Sequence, residues 1–167
     1  RRTEQGAALG VLGVGPRCVR RLELPDGRVA DFEVDLSRRL IEVLHAGDLL
    51  VSTSSQDVHP DHEACGRAAF EATRVVPAAL VFSLFWTWHD RLVEEVEQSQ
   101  LLAFELPEST RAAKQRAIRQ HDSQFEMRDG LAPILDDRLV EPATWSCEYF
   151  LDASISPTAK HPGMGRP

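Results

Sequence analysis

His59, Pro60, Asp61 and His62 stand side by side in the sequence. Imidazole nitrogen is a common zinc ligand, and zinc held with one open position makes its bound water nucleophilic near neutral pH. An aspartate beside a histidine can fix its tautomer and raise its basicity. The same residues also have a plainer use. Asp61 can cap a following helix by accepting from its first N–H groups, Pro60 can stiffen the loop, and the histidines can face solvent. Spacing leaves both uses open, because H-x-x-H is short and unspecific.

Few other stretches carry chemistry. Phe85-Trp86-Thr87-Trp88-His89 places aromatic rings just past a predicted buried strand. It reads either as the aromatic wall of a sugar pocket or as a cover over the edge of the core. Asp90, Glu94, Glu95 and Glu97 read as a solvated helix face. Asp136 and Asp137 are adjacent in a loop, and adjacency does not aim both carboxylates at one substrate. Gly10, Gly13 and Gly15 precede no strand-to-helix turn that would cradle phosphate, and there is no G-x-S-x-G elbow.

The elements that must position the histidines follow from periodicity. The spacing predicts a helix over Arg1 to Val14, with Ala7, Ala8 and Leu12 on one side, and a strand over Cys18 to Leu24. Pro25-Asp26-Gly27 predicts a turn. Asp35 to His45 predicts an amphipathic helix, with Leu36, Leu40, Ile41 and Leu44 on one face. Asp48 to Thr53 predicts a buried strand, Ser54 to Val58 a polar loop, and Asp61 to Arg74 a helix with Ala64, Ala68 and Ala72 on its inner side. Further strands are expected over Ala79 to Phe85, Leu101 to Leu106 and Trp145 to Leu151, with a helix from Pro107 to about Gln124. Strands alternating with helices predict an α/β fold with a mainly parallel sheet, in which sites form at the carboxyl ends of strands. The loop after Thr53 takes that place. Residues 1–152 are expected to form one domain and residues 153–167 a flexible tail.

A chain of 167 residues can bury a core, and 43% apolar with 27% charged residues suits a globular protein. A net charge of −7 gives no general attraction for nucleic acid or an anionic membrane. The apolar run Val75 to Trp88 is shorter than the roughly 20 residues of a membrane span and is broken by Pro77. Three widely spaced cysteines, Cys18, Cys65 and Cys147, argue against a disulfide scaffold or a cysteine zinc knot and favour a cytoplasmic setting.

The string from Asp57 through His59-Pro60-Asp61-His62 to Ala69 resembles the second motif of the PIG-L/LmbE-like N-deacetylase family, H-P-D-H followed by a small-residue helix. Arg1-x-x-Glu4 with Ala8 and Leu12-Gly13-Val14 is similar to that family's R-x-x-E…A…L-G-V helix, and Leu24-Pro25-Asp26-Gly27 to the turn after it. Lys114, Ala117 and His121-Asp122-Ser123-Gln124 resemble its late K…A…H-x-S-Q helix. The resemblance spans about residues 1–150. It implies a Rossmann-like three-layer α/β/α fold and zinc-dependent removal of an N-acetyl group from an amino sugar, glycoconjugate or related small metabolite. It also implies roles. His62 would be a zinc ligand, and His59 would stabilise the tetrahedral intermediate or act as general acid. Asp61 would hydrogen-bond to His59 and tune its basicity, while Arg1 would face the substrate; Trp88 is expected at the substrate from the aromatic stretch alone.

The family's first motif, H-P-D-D-E, supplies the other two zinc ligands and the base, and that string does not occur in this sequence. The first strand and helix that carry it are not found either, since a βαβ unit takes about 30 residues or more. The chain opens on Arg1 rather than Met, so an N-terminally incomplete deacetylase domain is one expectation. A non-catalytic homologue that binds a small molecule or a protein is another, and a different ligand set drawing on Asp57, His45, His89 or His121 is a third. Strand edges left open would favour a homo-oligomer.

Overall fold

A computed structural model of the chain describes residues 1–83, 101–127, 130 and 133–155. The fold is mixed α/β. Its main helices are α1 (Arg2–Val11), α2 (Glu33–Ile41), α3 (Pro60–Val75) and α4 (Glu108–Ile118), and single turns α5 (Asp122–Phe125) and α6 (Asp137–Val140) follow. The strands β1 (Leu49–Thr53), β2 (Ala79–Ser83), β3 (Leu101–Glu105) and β4 (Cys147–Asp152) form one sheet in the order β1-β2-β4-β3. β1 and β2 run parallel, with Leu49 opposite Ala79 and Thr53 opposite Ser83. β4 runs antiparallel to β2, with Val81 opposite Asp152. The sheet of this α/β fold thus holds a parallel pair, β1 with β2, and an antiparallel one, β2 with β4.

The described chain forms two compact units. One holds Arg1–Glu23 and Ala103–Glu148; the other holds the described parts of Leu24–Leu102 and Tyr149–Pro167.

In the first unit, α1 ends in a Schellman motif. Gly13 takes φ +79°, the Val14 N–H donates to the Leu9 carbonyl at 2.9 Å, and the Gly13 N–H donates to Gly10 at 3.1 Å. Glycine suits that left-handed position because it has no Cβ to clash. After it, Pro16–Cys18 forms a 3-10 turn, and residues 19–24 join no strand ladder. The strand expected over Cys18 to Leu24 is thus not formed. Val19, Leu22 and Leu24 are half-buried, but their spacing of three and then two does not keep one face of a strand. Side-chain bonds hold the segment to α1 instead, from Arg21 to Gln5 and from Arg2 to Glu23.

The long helix expected from Pro107 to Gln124 breaks at Arg119–His121. There the Gln120 and His121 N–H groups reach back only to Ala117 and Ile118. α5 then starts afresh. Its first turn is satisfied from outside, because Glu4 accepts from the Ser123 backbone N–H at 2.7 Å and from the Ser123 hydroxyl at 2.6 Å. Lys114 reaches Glu148 at 2.6 Å and the Pro142 carbonyl at 3.3 Å.

In the second unit, Ala69, Leu80, Phe82 and Ala153 are buried together, with Leu40, Leu50 and Leu151 packed on them. α3 meets β1, β2 and α2 through Ala64, Ala68, Ala69 and Ala72, all essentially buried. This small-residue face lets the helix lie close to the strands. Its closest approach is at Gly66, where a Cβ would sit 2.4 Å from the Ser55 backbone nitrogen. The expected Pro25-Asp26-Gly27 turn is present, closed by Arg28 N–H to the Pro25 carbonyl at 3.2 Å with Gly27 at φ +75°.

Candidate active site

β1 ends at Thr53, and α3 begins at Pro60 with His59 as its N-cap residue. Proline is well placed at the first helical position, because its missing N–H and fixed φ cost nothing there. The His59 N–H donates to Asp57 Oδ1 at 3.1 Å, and the Gln56 N–H donates to Ser54 Oγ at 3.1 Å. These local side-chain bonds shape the polar loop. The Thr53 hydroxyl donates to the His62 carbonyl at 2.8 Å, tying the end of β1 to the first turn of α3. This strand-to-helix junction is where an open α/β sheet offers a site.

His59 and His62 come together there, with ring centroids 4.6 Å apart and planes tilted by 35°. His62 is half-buried, and its Nδ1 lies 3.3 Å from Oδ2 of the wholly buried Asp57. That contact is not closed into a hydrogen bond, and Asp57 Oδ2 is a buried oxygen that no hydrogen bond reaches. An ion-pair separation of 3.3 Å and the lack of an aligned bond are compatible: the groups face each other at a distance a small ring rotation would close.

Asp61 is placed differently from the expectation. Its carboxylate does not bond to the His59 ring; Oδ2 accepts the Gly27 N–H at 2.6 Å and Oδ1 the Val29 N–H at 3.0 Å. The bond to His59 runs through the backbone, from the Asp61 N–H to His59 Nδ1 at 3.2 Å. The reason is topological. The Pro25–Arg28 turn lies against the start of α3 and exposes two N–H groups that an ionised carboxylate satisfies better than water does. Asp61 caps no N–H of its own helix. It is the imidazole of His59 that caps α3.

Cys65 sits one turn along α3 from Asp61. Burial pushes its thiol above the usual cysteine range and the charge of Asp61 adds to this, so it is not prepared to act as a thiolate. His45 is mostly exposed, at 3.6 Å from Asp48, and takes no part in the cluster. Arg1 precedes α1 and His121 precedes α5, both in the first unit. Trp88 and His89 lie outside the described residues.

The family model described as PIG-L: GlcNAc-PI de-N-acetylase matches residues 1–73, which run from α1 through the histidine cluster into α3. Over those residues the chain is similar to the PIG-L/LmbE-like family. No curated protein and no solved structure matches the chain. The PIG-L match takes in Arg1-x-x-Glu4, the Leu24–Gly27 turn and His59–His62; the late stretch Lys114 to Gln124 lies beyond it. The matched family is one of de-N-acetylases. Among the described residues, no group of three His, Cys, Asp or Glu side chains is placed to hold a metal. A catalytic zinc takes three protein ligands. The described residues place Asp57 beside His62 and do not make up such a set of three.

Asp57, one of the residues the sequence offered for a different ligand set, is placed beside His62. The bond from Asp61 to a turn more than 30 residues earlier has no local signal.

Proposed function

We propose that this chain acts in zinc-dependent removal of an N-acetyl group from an amino sugar, glycoconjugate or related small metabolite. The observation that carries the reading is the PIG-L match over residues 1–73, together with the paired rings of His59 and His62 at the mouth of the β1–α3 junction. His62 is the residue that would hold zinc, which when bound supplies a nucleophilic water and polarises the amide carbonyl. His59 presents a ring N–H to the oxygen that gains negative charge as the carbonyl becomes tetrahedral. It stands at the N-terminus of a 16-residue helix, whose dipole favours the same charge. Asp61 keeps the Gly27 turn against this junction. Arg1 and Trp88 are assigned to the sugar, Trp88 as an aromatic wall. We place the activity in the cytoplasm, which suits three free thiols.

The test is zinc content and acetate release from N-acetyl amino sugars by the purified chain and its variants. His62→Ala is expected to abolish zinc binding, and His59→Ala to keep zinc and lower turnover by about 100-fold or more. Turnover retained in both variants would rule the reading out.

The missing H-P-D-D-E string, with one defensible ligand among the described residues, favours a second reading: a non-catalytic homologue that binds a small molecule or a protein. One zinc per chain, lost in His62→Ala, would discard it.

A further inference from the structure

His59 and His62 share one loop-to-helix junction, yet their ring nitrogens meet opposite kinds of partner. His59 Nδ1 receives the Asp61 backbone N–H at 3.2 Å. An amide N–H can only donate, so this nitrogen is an acceptor and the ring carries its proton on Nε2. His62 Nδ1 faces Asp57 Oδ2 at 3.3 Å. An ionised carboxylate can only accept, so the favourable arrangement puts the proton on Nδ1 and leaves a lone pair on Nε2.

The burial of Asp57 makes this demand strong. The residue is 0% exposed, its Oδ1 is used by the His59 N–H, and its Oδ2 is reached by no hydrogen bond. A buried carboxylate oxygen without a compensating proton is costly. The polar atom it faces is His62 Nδ1.

We propose that Asp57 is a positioning residue that holds His62 as the Nδ1–H tautomer, while the Asp61 backbone amide holds His59 as the Nε2–H tautomer. Neighbouring imidazoles are thereby set to opposite jobs. Nε2 of His62 is left as the acceptor that would hold a metal ion, and Nε2–H of His59 as the donor that would meet an anionic oxygen. Asp57 thus reaches both histidines, one through each oxygen. The jobs rest on the proposed function; the tautomers rest on the geometry alone.

The experiment is long-range proton–nitrogen NMR on the full chain with 15N-labelled histidine, metal-free and above neutral pH. His59 is expected as Nε2–H and His62 as Nδ1–H; the same tautomer on both rings overturns the inference. Asp57→Asn keeps an acceptor for the His59 N–H and, with that oxygen engaged, turns its NH2 toward His62 Nδ1. It is expected to flip His62 to Nε2–H and to weaken binding of Zn2+ alone by about 10–100-fold. An unflipped ring with unchanged zinc affinity overturns the inference, and the wild-type spectrum decides it even if this variant does not fold. Wild-type rings as stated with no zinc binding would overturn the proposed function and leave the tautomer assignment standing.

Discussion

Glu4 and Ser123 are joined twice across 119 positions of sequence, the serine N–H donating to one carboxylate oxygen and its hydroxyl to the other. One residue of α1 thereby supplies the N-terminal cap that α5 does not provide for itself, since His121 makes no side-chain cap bond.

These Ser123 bonds hold the Glu4 carboxyl below the usual glutamate range. A depressed folded value means the contribution is fully present above that range and is lost as pH falls through the folded value. Glu4→Gln should lower the melting temperature at neutral pH, and the gap to wild type should narrow on acidification. Thermal melts at neutral and acid pH check this; a gap that stays constant would show that the carboxylate is not the acceptor.

Asp61→Ala leaves the Gly27 and Val29 N–H groups without their charged acceptor. Loss of two such bonds should cost about 2–4 kcal/mol, and Asp61→Asn less. Amide exchange separates this from a general loosening. Protection should fall first at Gly27 and Val29, ahead of β1 and β2. Protection at those two amides equal to wild type would place their acceptor elsewhere.

Gly66 and Gly10 both lie inside helices, but alanine should act oppositely at the two. At Gly66 a Cβ meets backbone of Ser55, Ser54 and Thr53 at 2.4, 2.7 and 2.7 Å, atoms that cannot turn aside. Overpacking of this kind costs about 1–3 kcal/mol and outweighs the gain in helix propensity of about 1 kcal/mol. At Gly10 no heavy atom lies within 4 Å, so Gly10→Ala should stabilise by up to about 1 kcal/mol. Denaturation of both variants gives the signs directly, and a stabilising Gly66→Ala would contradict the close approach of α3 to its loop.

Cys65, with its thiol pushed up by burial and by Asp61, should be alkylated slowly at neutral pH and faster as pH rises. Cys18 is exposed and should react well before it. Peptide mapping after timed alkylation distinguishes the two sites. Cys65 labelling as fast as Cys18 at neutral pH would show that α3 does not shield the thiol.

By itself, the sequence determined the elements whose signals are local. The alanine face of α3, the buried apolar run of β2, Pro60 at a helix start and the Pro25–Gly27 turn are all written in adjacent residues. The folded chain keeps each of them. The histidine pair was legible for the same reason, because H-P-D-H lies within one turn of helix. What only the tertiary structure decided are relationships between distant segments. No local signal could show that β4 enters antiparallel or that Glu4 caps α5. The same holds for Asp61, whose carboxylate serves a distant turn while its backbone serves His59. A carboxylate takes whichever donors the fold brings within hydrogen-bond reach, and periodicity does not say which donors those will be.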